Sequence, residues 1–301
     1  MQLKKLFQKD KNSGNRLSYF LFTTPCLVMY TVFLIIPIIL GFYYSFTNWN
    51  GIAPTYEMVG FNNYKDQLSD NSFHYSLVFT LTYAAVVVFV IVFFSFFTAV
   101  FLNGFRSRLK NLYKTLLFFP ALIAPIVVSL IFRQIYSGVL PWLGKTLGWD
   151  FLSKNLMASM DTLKGTIEYV HMWYGMAIPV VLFTAGLQMV PEEIYEQAKI
   201  DGANFFSRLW HIVIPYMIPI VNIVFILTLK QCLMVYDIIM GLTMGGPGTR
   251  TQTYSVFIYR SAFMNFRVGY AASLSVTLFF IMLIIAVFQM TILNKKDVNA
   301  V

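Results

Sequence analysis

Six long apolar stretches are the feature of this 301-residue chain that most restricts what it can fold into. A transmembrane α-helix needs about 20 consecutive, predominantly apolar residues, and each stretch is that long. Charged residues make up only 12% of the sequence, whereas a soluble domain carries about 25%. The sequence therefore predicts an all-α polytopic membrane protein with about six spans, at Tyr19–Trp49, Tyr75–Leu102, Leu112–Tyr136, Thr166–Met189, Val213–Tyr236 and Val268–Leu293.

The basic residues predict the orientation of these spans. With the N-terminus inside, thirteen Lys and Arg residues fall on the inner segments and eight on the outer segments. This bias agrees with the positive-inside rule, and it accounts for the net charge of +9 without a nucleic-acid partner. We expect one transmembrane domain over residues 1–301, with a cytoplasmic N-terminal segment at 1–18 and a cytoplasmic tail at 294–301.

One charged segment, PEEIYEQAKIDGANFFSRLWHIVIP, separates the fourth and fifth spans. Pro191 suits a first helical position, and the two glutamates that follow it favour a helix N-terminus. Gly202 suits a helix end or a sharp bend. The segment predicts two short helices over residues 191–212, joined at an Asp201-Gly202 corner on the cytoplasmic side. Spacing alone leaves open whether they contact another protein, the lipid surface or water only.

The same segment resembles the EAA loop of bacterial binding-protein-dependent ABC importer permeases, whose pattern is E-A-A-x3-G-x9-I-x-L-P. Glu196, Ala198, Gly202, Ile212 and Pro215 match it in residue type and spacing, while Gln197 and Ile214 depart mildly from it. Three further stretches resemble the maltose-type carbohydrate branch of that family, at Val59–Asp70, Tyr236–Thr253 and Phe266–Ser275. The resemblance covers nearly the whole chain.

This resemblance implies a type I ABC importer permease fold and a coupling role for the charged segment. In that family the EAA loop docks in a cleft of the cytoplasmic ATPase. Glu196 is then expected to pair with a basic residue of the ATPase, and Ala198 to permit close approach. Asp201 and Gly202 make the corner, and the remaining motif residues, Ile212 and Pro215, tie it to the next span.

The resemblance also implies partners and a substrate. We expect a second homologous permease, a different chain, to form the other half of the pore. A cytoplasmic P-loop ATPase dimer binds ATP and Mg²⁺, so no cofactor is expected in this chain, and an extracellular solute-binding protein delivers the sugar. The chain is then a transporter subunit in the bacterial plasma membrane, for a carbohydrate that we take to be an oligosaccharide.

Polar and aromatic residues inside spans are candidates for the sugar path, because polar groups in a membrane segment are costly and mark function. Trp173 and Gly175 match a W-x-G arrangement of the family, and the alternative is packing between helices or an interfacial aromatic belt. The candidates are Trp173, Tyr174 and Gly175 in the fourth span and Gln231, Tyr236 and Asp237 in the fifth. Asp237 is taken as the acidic intramembrane residue, and as a possible partner of Lys230.

Other motifs predict less. Gly144-Lys145-Thr146 lacks the first glycine of a P-loop, because Val139 stands in its place. The glycines and proline at 245–248 indicate an outer turn more than a flexible gate. No metal-ligand spacing and no catalytic constellation is seen. Two other functions stay open, namely an ion-gradient-driven secondary sugar transporter and a membrane enzyme that acts on a lipid-linked sugar.

Overall fold

The computed structural model describes residues 13–104 and 109–297. Much of the predicted N-terminal segment, part of the basic loop after the second span and the end of the tail therefore lie outside the described residues. Within those residues the backbone forms helices and one isolated β-bridge, between Thr47 and Met58. Five helices are long and apolar enough to cross a membrane, or six when a bent pair counts as one span. The predicted all-α polytopic class is confirmed.

Sixteen α-helices follow one another along the described residues. They are α1 (Ser13–Tyr30), α2 (Ile36–Tyr44), α3 (Asn62–Ser69), α4 (Asn71–Gly104), α5 (Leu109–Phe118), α6 (Pro125–Gln134), α7 (Leu140–Leu147), α8 (Asp150–Ser153), α9 (Met160–Gly175), α10 (Ala177–Leu187), α11 (Glu192–Ile200), α12 (Phe205–Arg208), α13 (Ile214–Leu233), α14 (Asp237–Leu242), α15 (Tyr254–Tyr259) and α16 (Val268–Asp297). Single π-helical turns join some neighbours, at Thr31–Ile35, Ile135–Val139, Leu209–Val213 and Arg260–Met264.

The first span is shorter than its apolar sequence suggests. It covers Phe20–Tyr44, so the predicted end at Trp49 was wrong. The chain turns at Ser45, and the side-chain amide of Asn63 donates hydrogen bonds to the carbonyls of Ser45 and Thr47, both at 2.8 Å. These bonds satisfy backbone groups that a continued helix would otherwise pair, so the chain can leave the helix there.

The predicted third span, Leu112–Tyr136, is broken. Helix α5 ends at Phe118 and a 3₁₀ turn follows, and Ala124 is extended, with ψ 136°, before α6 begins at Pro125. Proline has no N–H and pushes the residue before it out of the helical region, which explains the break at this point. The span that the structure supports here is Pro125–Leu147.

The fourth span is bent and the fifth is longer than expected. Helices α9 and α10 meet at an angle of 43°. Pro179 cannot donate a hydrogen bond to the carbonyl of Gly175, so the helix is weakened where it bends. The fifth span runs over Phe205–Leu233. The predicted second short helix is therefore not separate but is the first part of this span, because the π-helical turn Leu209–Val213 continues the helix into α13.

The described residues form two compact units, one of residues 13–66 and 261–277 and the other of residues 67–104, 109–260 and 278–297. In the first unit the rings of Tyr44 and Trp49 stack with centroids 4.5 Å apart, and the Gly269 N–H donates to the Trp49 carbonyl at 2.8 Å. The second unit holds two buried apolar clusters. One surrounds Val87, Ile91 and Ile239 and the other surrounds Phe96, Phe183 and Met217.

Candidate substrate cleft and coupling segment

A cleft of about 440 Å³ opens in the second unit between α9, α10 and the adjoining ends of α13 and α14. Its volume lies within the range of about 300–1,000 Å³ that is usual for small-molecule sites. Much of the wall is aliphatic, and polar groups are set among the aliphatic side chains. The polar side chains on the wall are His171, Tyr174, Thr228, Lys230, Gln231, Tyr236 and Asp237.

The break between α13 and α14 builds one side of this cleft. Helix α13 ends at Leu233, and α14 begins again at Asp237, whose carboxylate in the first turn suits the positive end of the helix dipole. The Thr253 hydroxyl donates to the Val235 carbonyl at 2.9 Å and satisfies a backbone group that the break leaves without a helical partner. Gln231, Tyr236 and Asp237 therefore share one wall, as the sequence grouped them.

Helix α9 builds the facing side and adds a residue that the sequence analysis did not select. His171 lines the cleft with Tyr174 and Ile178. His171 and Tyr174 fall at i and i+3 on one face of α9, and Ile178 follows in α10, beyond the bend. The Tyr83 hydroxyl lies 2.6 Å from His171 Nδ1, and both side chains are buried. This hydrogen bond fixes the imidazole ring and leaves Nε2 as its second polar atom.

Two of the six predicted path residues do not line the cleft. Trp173 is exposed rather than part of the cleft wall, and one side of its ring packs against Phe132 with centroids 5.3 Å apart. Gly175 lies at the bend of the fourth span, where a Cβ atom would come within 2.7 Å of Ile91 Cδ1. Its absent side chain allows α9 to approach α4 closely, so the structure gives Gly175 a packing role.

The structure does not form the possible Lys230–Asp237 pair, and one expectation about acidic residues in the spans was wrong. No salt bridge joins Lys230 to Asp237 among the described residues; each side chain is exposed in the cleft. Lys230 lies in the last turn of α13, where the helix dipole favours a cation. Asp237 is also not the acidic residue that stands alone in the spans, because Glu168 lies in α9 with its carboxylate 3.8 Å from Lys164 Nζ.

The charged segment forms the helix and corner that the sequence predicts, with one shift at its start. Helix α11 begins at Glu192, so Pro191 precedes the helix and does not occupy its first position. The helix ends in a Schellman motif, in which the Ala203 N–H donates to the Ala198 carbonyl at 2.9 Å and the Gly202 N–H donates to the Lys199 carbonyl at 3.1 Å.

Gly202 makes this corner possible, because its φ of +76° lies in the left-handed region that a side chain disfavours. The next helical segment is capped by Asn204, whose Oδ1 accepts a hydrogen bond from the Ser207 N–H at 2.8 Å. The corner is therefore a defined structure with its own hydrogen bonds. Both ends of the turn are fixed.

Some residues of the EAA-like motif are exposed to solvent, and others are partly buried against the protein. Glu196, Asp201 and Gly202 are exposed, whereas Ala198, Ile212 and Pro215 are half-buried. Tyr195 holds α11 in place by packing against the cluster around Phe183 and Met217. Burial raises the pKa of the Tyr195 hydroxyl, and the nearby Arg208 guanidinium opposes that shift.

The triplet Gly144-Lys145-Thr146 lies within helix α7. A P-loop instead places its glycines in a turn ahead of a helix, so that backbone N–H groups surround phosphates. Gly144 packs against the backbone of Leu152 and Ser153 in α8. The structure therefore gives this glycine a packing role between two short helices.

No protein-family model matches the chain. It is 35% identical to the multiple sugar-binding transport system permease protein MsmF of Streptococcus mutans over 272 residues, which cover 90% of this chain and 93% of that protein. It is 30% identical to the arabinooligosaccharides transport system permease protein AraP of Bacillus subtilis, over 94% of this chain and 90% of that protein. It is 27% identical to the trehalose/maltose transport system permease protein MalF of Thermococcus litoralis, over 83% and 87% of the two chains.

Solved structures show the same fold. A chain of a bacterial ABC transporter involved in the import of the acidic polysaccharide alginate superposes with a TM-score of 0.83, over 95% of this chain and 98% of that chain at 18% identity. A second structure, of a bacterial alginate ABC transporter in complex with a periplasmic protein that holds an alginate pentasaccharide, gives a TM-score of 0.80 at 17% identity, over 93% and 94% of the two chains.

Proposed function

This chain belongs to the permease subunits of sugar ABC transport systems, and from that premise we propose that it forms half of a pore that imports an oligosaccharide across the bacterial plasma membrane. The observation that carries the proposal is the exposed helix α11 with its fixed corner at Gly202. Such a helix between two spans is a contact surface for a partner on the inner side.

The cleft is suited to a sugar. Sugar hydroxyls need both donors and acceptors, and the Gln231 amide, the Asp237 carboxylate and the Tyr174 hydroxyl supply both kinds beside one another. The Tyr236 ring adds a flat apolar surface for the C–H faces of a sugar ring. His171, held by Tyr83, contributes a further polar atom. The named oligosaccharide systems among the relatives support this substrate class.

Helix α11 transmits the movement of the ATPase subunits to the permease. Two ATPase subunits bind ATP and Mg²⁺ and close, and each contacts the α11 helix of one permease. Because the Schellman corner connects α11 to the fifth span and Tyr195 packs α11 on the cluster around Phe183 and Met217, a displacement of α11 moves those helices as a rigid body. A second permease completes the pore, and a solute-binding protein delivers the sugar on the outer side.

A secondary transporter driven by an ion gradient is the rival function. Such a transporter needs no ATPase, so it does not explain why α11 presents an exposed helix between two spans. A path for protons or sodium ions usually requires acidic groups in the spans. The described spans hold Glu168, whose carboxylate faces Lys164, and Asp237 follows directly after the fifth span.

The charge of Glu196 tests the ATPase contact. In proteoliposomes that hold the chain with its co-purifying subunits, we expect Glu196→Lys to uncouple ATP hydrolysis from sugar uptake. Uptake of labelled maltotriose, trehalose or an arabinooligosaccharide, whichever the wild type transports, should fall about tenfold or more. The matched control is Glu193→Lys, because both side chains are exposed on α11 and the charge change is the same.

Glu193→Lys should keep uptake within about twofold of wild type, since an exposed charge outside the contact contributes little. Both variants should insert normally and retain their subunits. Normal uptake by Glu196→Lys, or uptake by the wild type that persists without ATP and collapses with an ionophore, would overturn the assignment.

A further inference from the structure

The loop after α14, residues 243–253, is folded back on itself as a closed turn, and we call it the outer loop. Met244, Gly245 and Gly248 have positive φ values of 54°, 81° and 63°. The Thr251 hydroxyl donates to the Gly246 carbonyl at 2.8 Å and lies 2.7 Å from the Thr243 hydroxyl. These bonds favour the turn over the flexible gate that the sequence left as its alternative.

Arg260 bridges two distant points of the outer loop. Its Nη1 donates to Gln252 Oε1 at 2.8 Å, and its Nη2 donates to the Met244 carbonyl at 2.5 Å. Gln252 is only 2% exposed. A planar guanidinium presents several donors in fixed directions, so it can hold two acceptors at once, which a lysine ammonium does less well.

Other contacts fix the base of the outer loop to the surrounding helices. The Tyr75 hydroxyl, from α4, donates to the Arg250 carbonyl at 2.7 Å. The Tyr254 N–H donates to the Thr80 hydroxyl, also in α4, at 2.8 Å. With both sides held in this way, the tip of the loop at residues 247–250 projects into solvent.

The residue next to Arg260 contacts the wall of the substrate cleft. Tyr259, the residue before Arg260, packs its ring on Tyr236 with centroids 5.2 Å apart, and Tyr236 lines the cleft. Two consecutive residues therefore hold the outer loop and one wall of the cleft. Tyr259 is the last residue of α15 and Arg260 is the first residue of the π-helical turn, and consecutive residues of a helix project from different faces, so the two side chains reach separate contacts.

We infer that Arg260 is a positioning residue, which holds the outer loop in one conformation so that the solute-binding protein can dock on its exposed tip. The inference rests on the proposed function. Rigid presentation of a surface lowers the ordering cost of association. The exposed cation at Arg250 suits a partner surface that carries carboxylate side chains.

The test uses the complex in nanodiscs, with the solute-binding protein that co-purifies with the wild type as the probe. ATPase activity is titrated with that protein for wild type, Arg260→Gln, Arg260→Lys and the control Lys154→Gln, which removes an exposed cation from a predicted outer segment beyond the span Pro125–Leu147. Hydrogen exchange of peptides that cover residues 243–253 is measured on the same samples.

For Arg260→Gln we expect faster exchange in the outer loop and an about tenfold higher half-saturating concentration of binding protein. The basal and maximal rates should stay within about twofold, Arg260→Lys should be intermediate, and Lys154→Gln should match wild type. Exchange or half-saturation that is unchanged in Arg260→Gln, or a loss confined to the maximal rate, overturns the inference. A wild-type complex that no binding protein stimulates instead overturns the proposed function, and this inference with it.

Discussion

At the scale of single residues, a helix break brings separate parts of the chain together in the candidate cleft. Gln231 and Asp237 lie on opposite sides of a helix break, and the break brings their side chains to one wall. Tyr174 and Trp173 are neighbours in the sequence but lie on different faces of α9, so one lines the cleft and the other packs on Phe132. The W-x-G resemblance selects Trp173 and Gly175, whereas the geometry favours His171 and Tyr174.

This difference predicts the effect of two substitutions. Gln231→Ala removes an amide that can both donate to and accept from a sugar hydroxyl, so the half-saturating sugar concentration for uptake should rise about tenfold. Trp173→Phe keeps an aromatic ring against Phe132 and should leave that concentration within about twofold. Both are measured as initial uptake rates in proteoliposomes over a range of sugar concentrations. An equal effect of the two variants would contradict the placement of the cleft.

At the scale of helices, hydropathy predicted where spans exist but not where they break. Two prolines show why hydropathy does not predict the breaks. Pro125 begins a new helix after an extended residue, while Pro219 lies inside the unbroken helix α13. Proline always removes one hydrogen bond, but whether the helix separates depends on what nearby helices offer the freed carbonyl. That information lies in tertiary packing, which one sequence does not display.

The corner at Asp201 and Gly202 could be predicted better than the helix breaks, because the residues that determine it are local in the sequence. A helix that ends at a glycine in the left-handed region needs few long-range contacts, and the position of Gly202 was correct. The continuation of the next segment into the fifth span was missed, since a π-helical turn leaves no clear signal in residue type.

Close packing between α4 and α9 gives a prediction at this scale. Gly175→Ala would place a methyl group within 2.7 Å of Ile91 Cδ1, and such overpacking costs about 1–3 kcal/mol. Ile91→Val removes the Cδ1 atom and should restore most of the lost thermal stability in the double variant. The measurement is the unfolding temperature of the purified protein in detergent. Additive destabilisation by the two changes would show that the helices do not meet at this glycine.

At the scale of the whole molecule, the chain presents surfaces that suit covering by lipid and partner subunits. None of the apolar window of the first span is buried within the chain itself. The cleft is open, with Gln231, Lys230 and Asp237 exposed in it, and the apolar Ile200 beside the coupling corner is 85% exposed. These exposed groups are consistent with a subunit that becomes complete in a larger assembly.

Co-purification from native membranes shows whether the chain is one subunit of an ATP-driven importer. The tagged chain is solubilised from native membranes in mild detergent, isolated, and the accompanying proteins are identified and quantified. We expect a P-loop ATPase and a second permease, with two ATPase copies for each pair of permeases, and a solute-binding protein that joins when sugar is present. A chain that is isolated alone, in a detergent that preserves its fold and its uptake activity after reconstitution, would rule out the importer assembly.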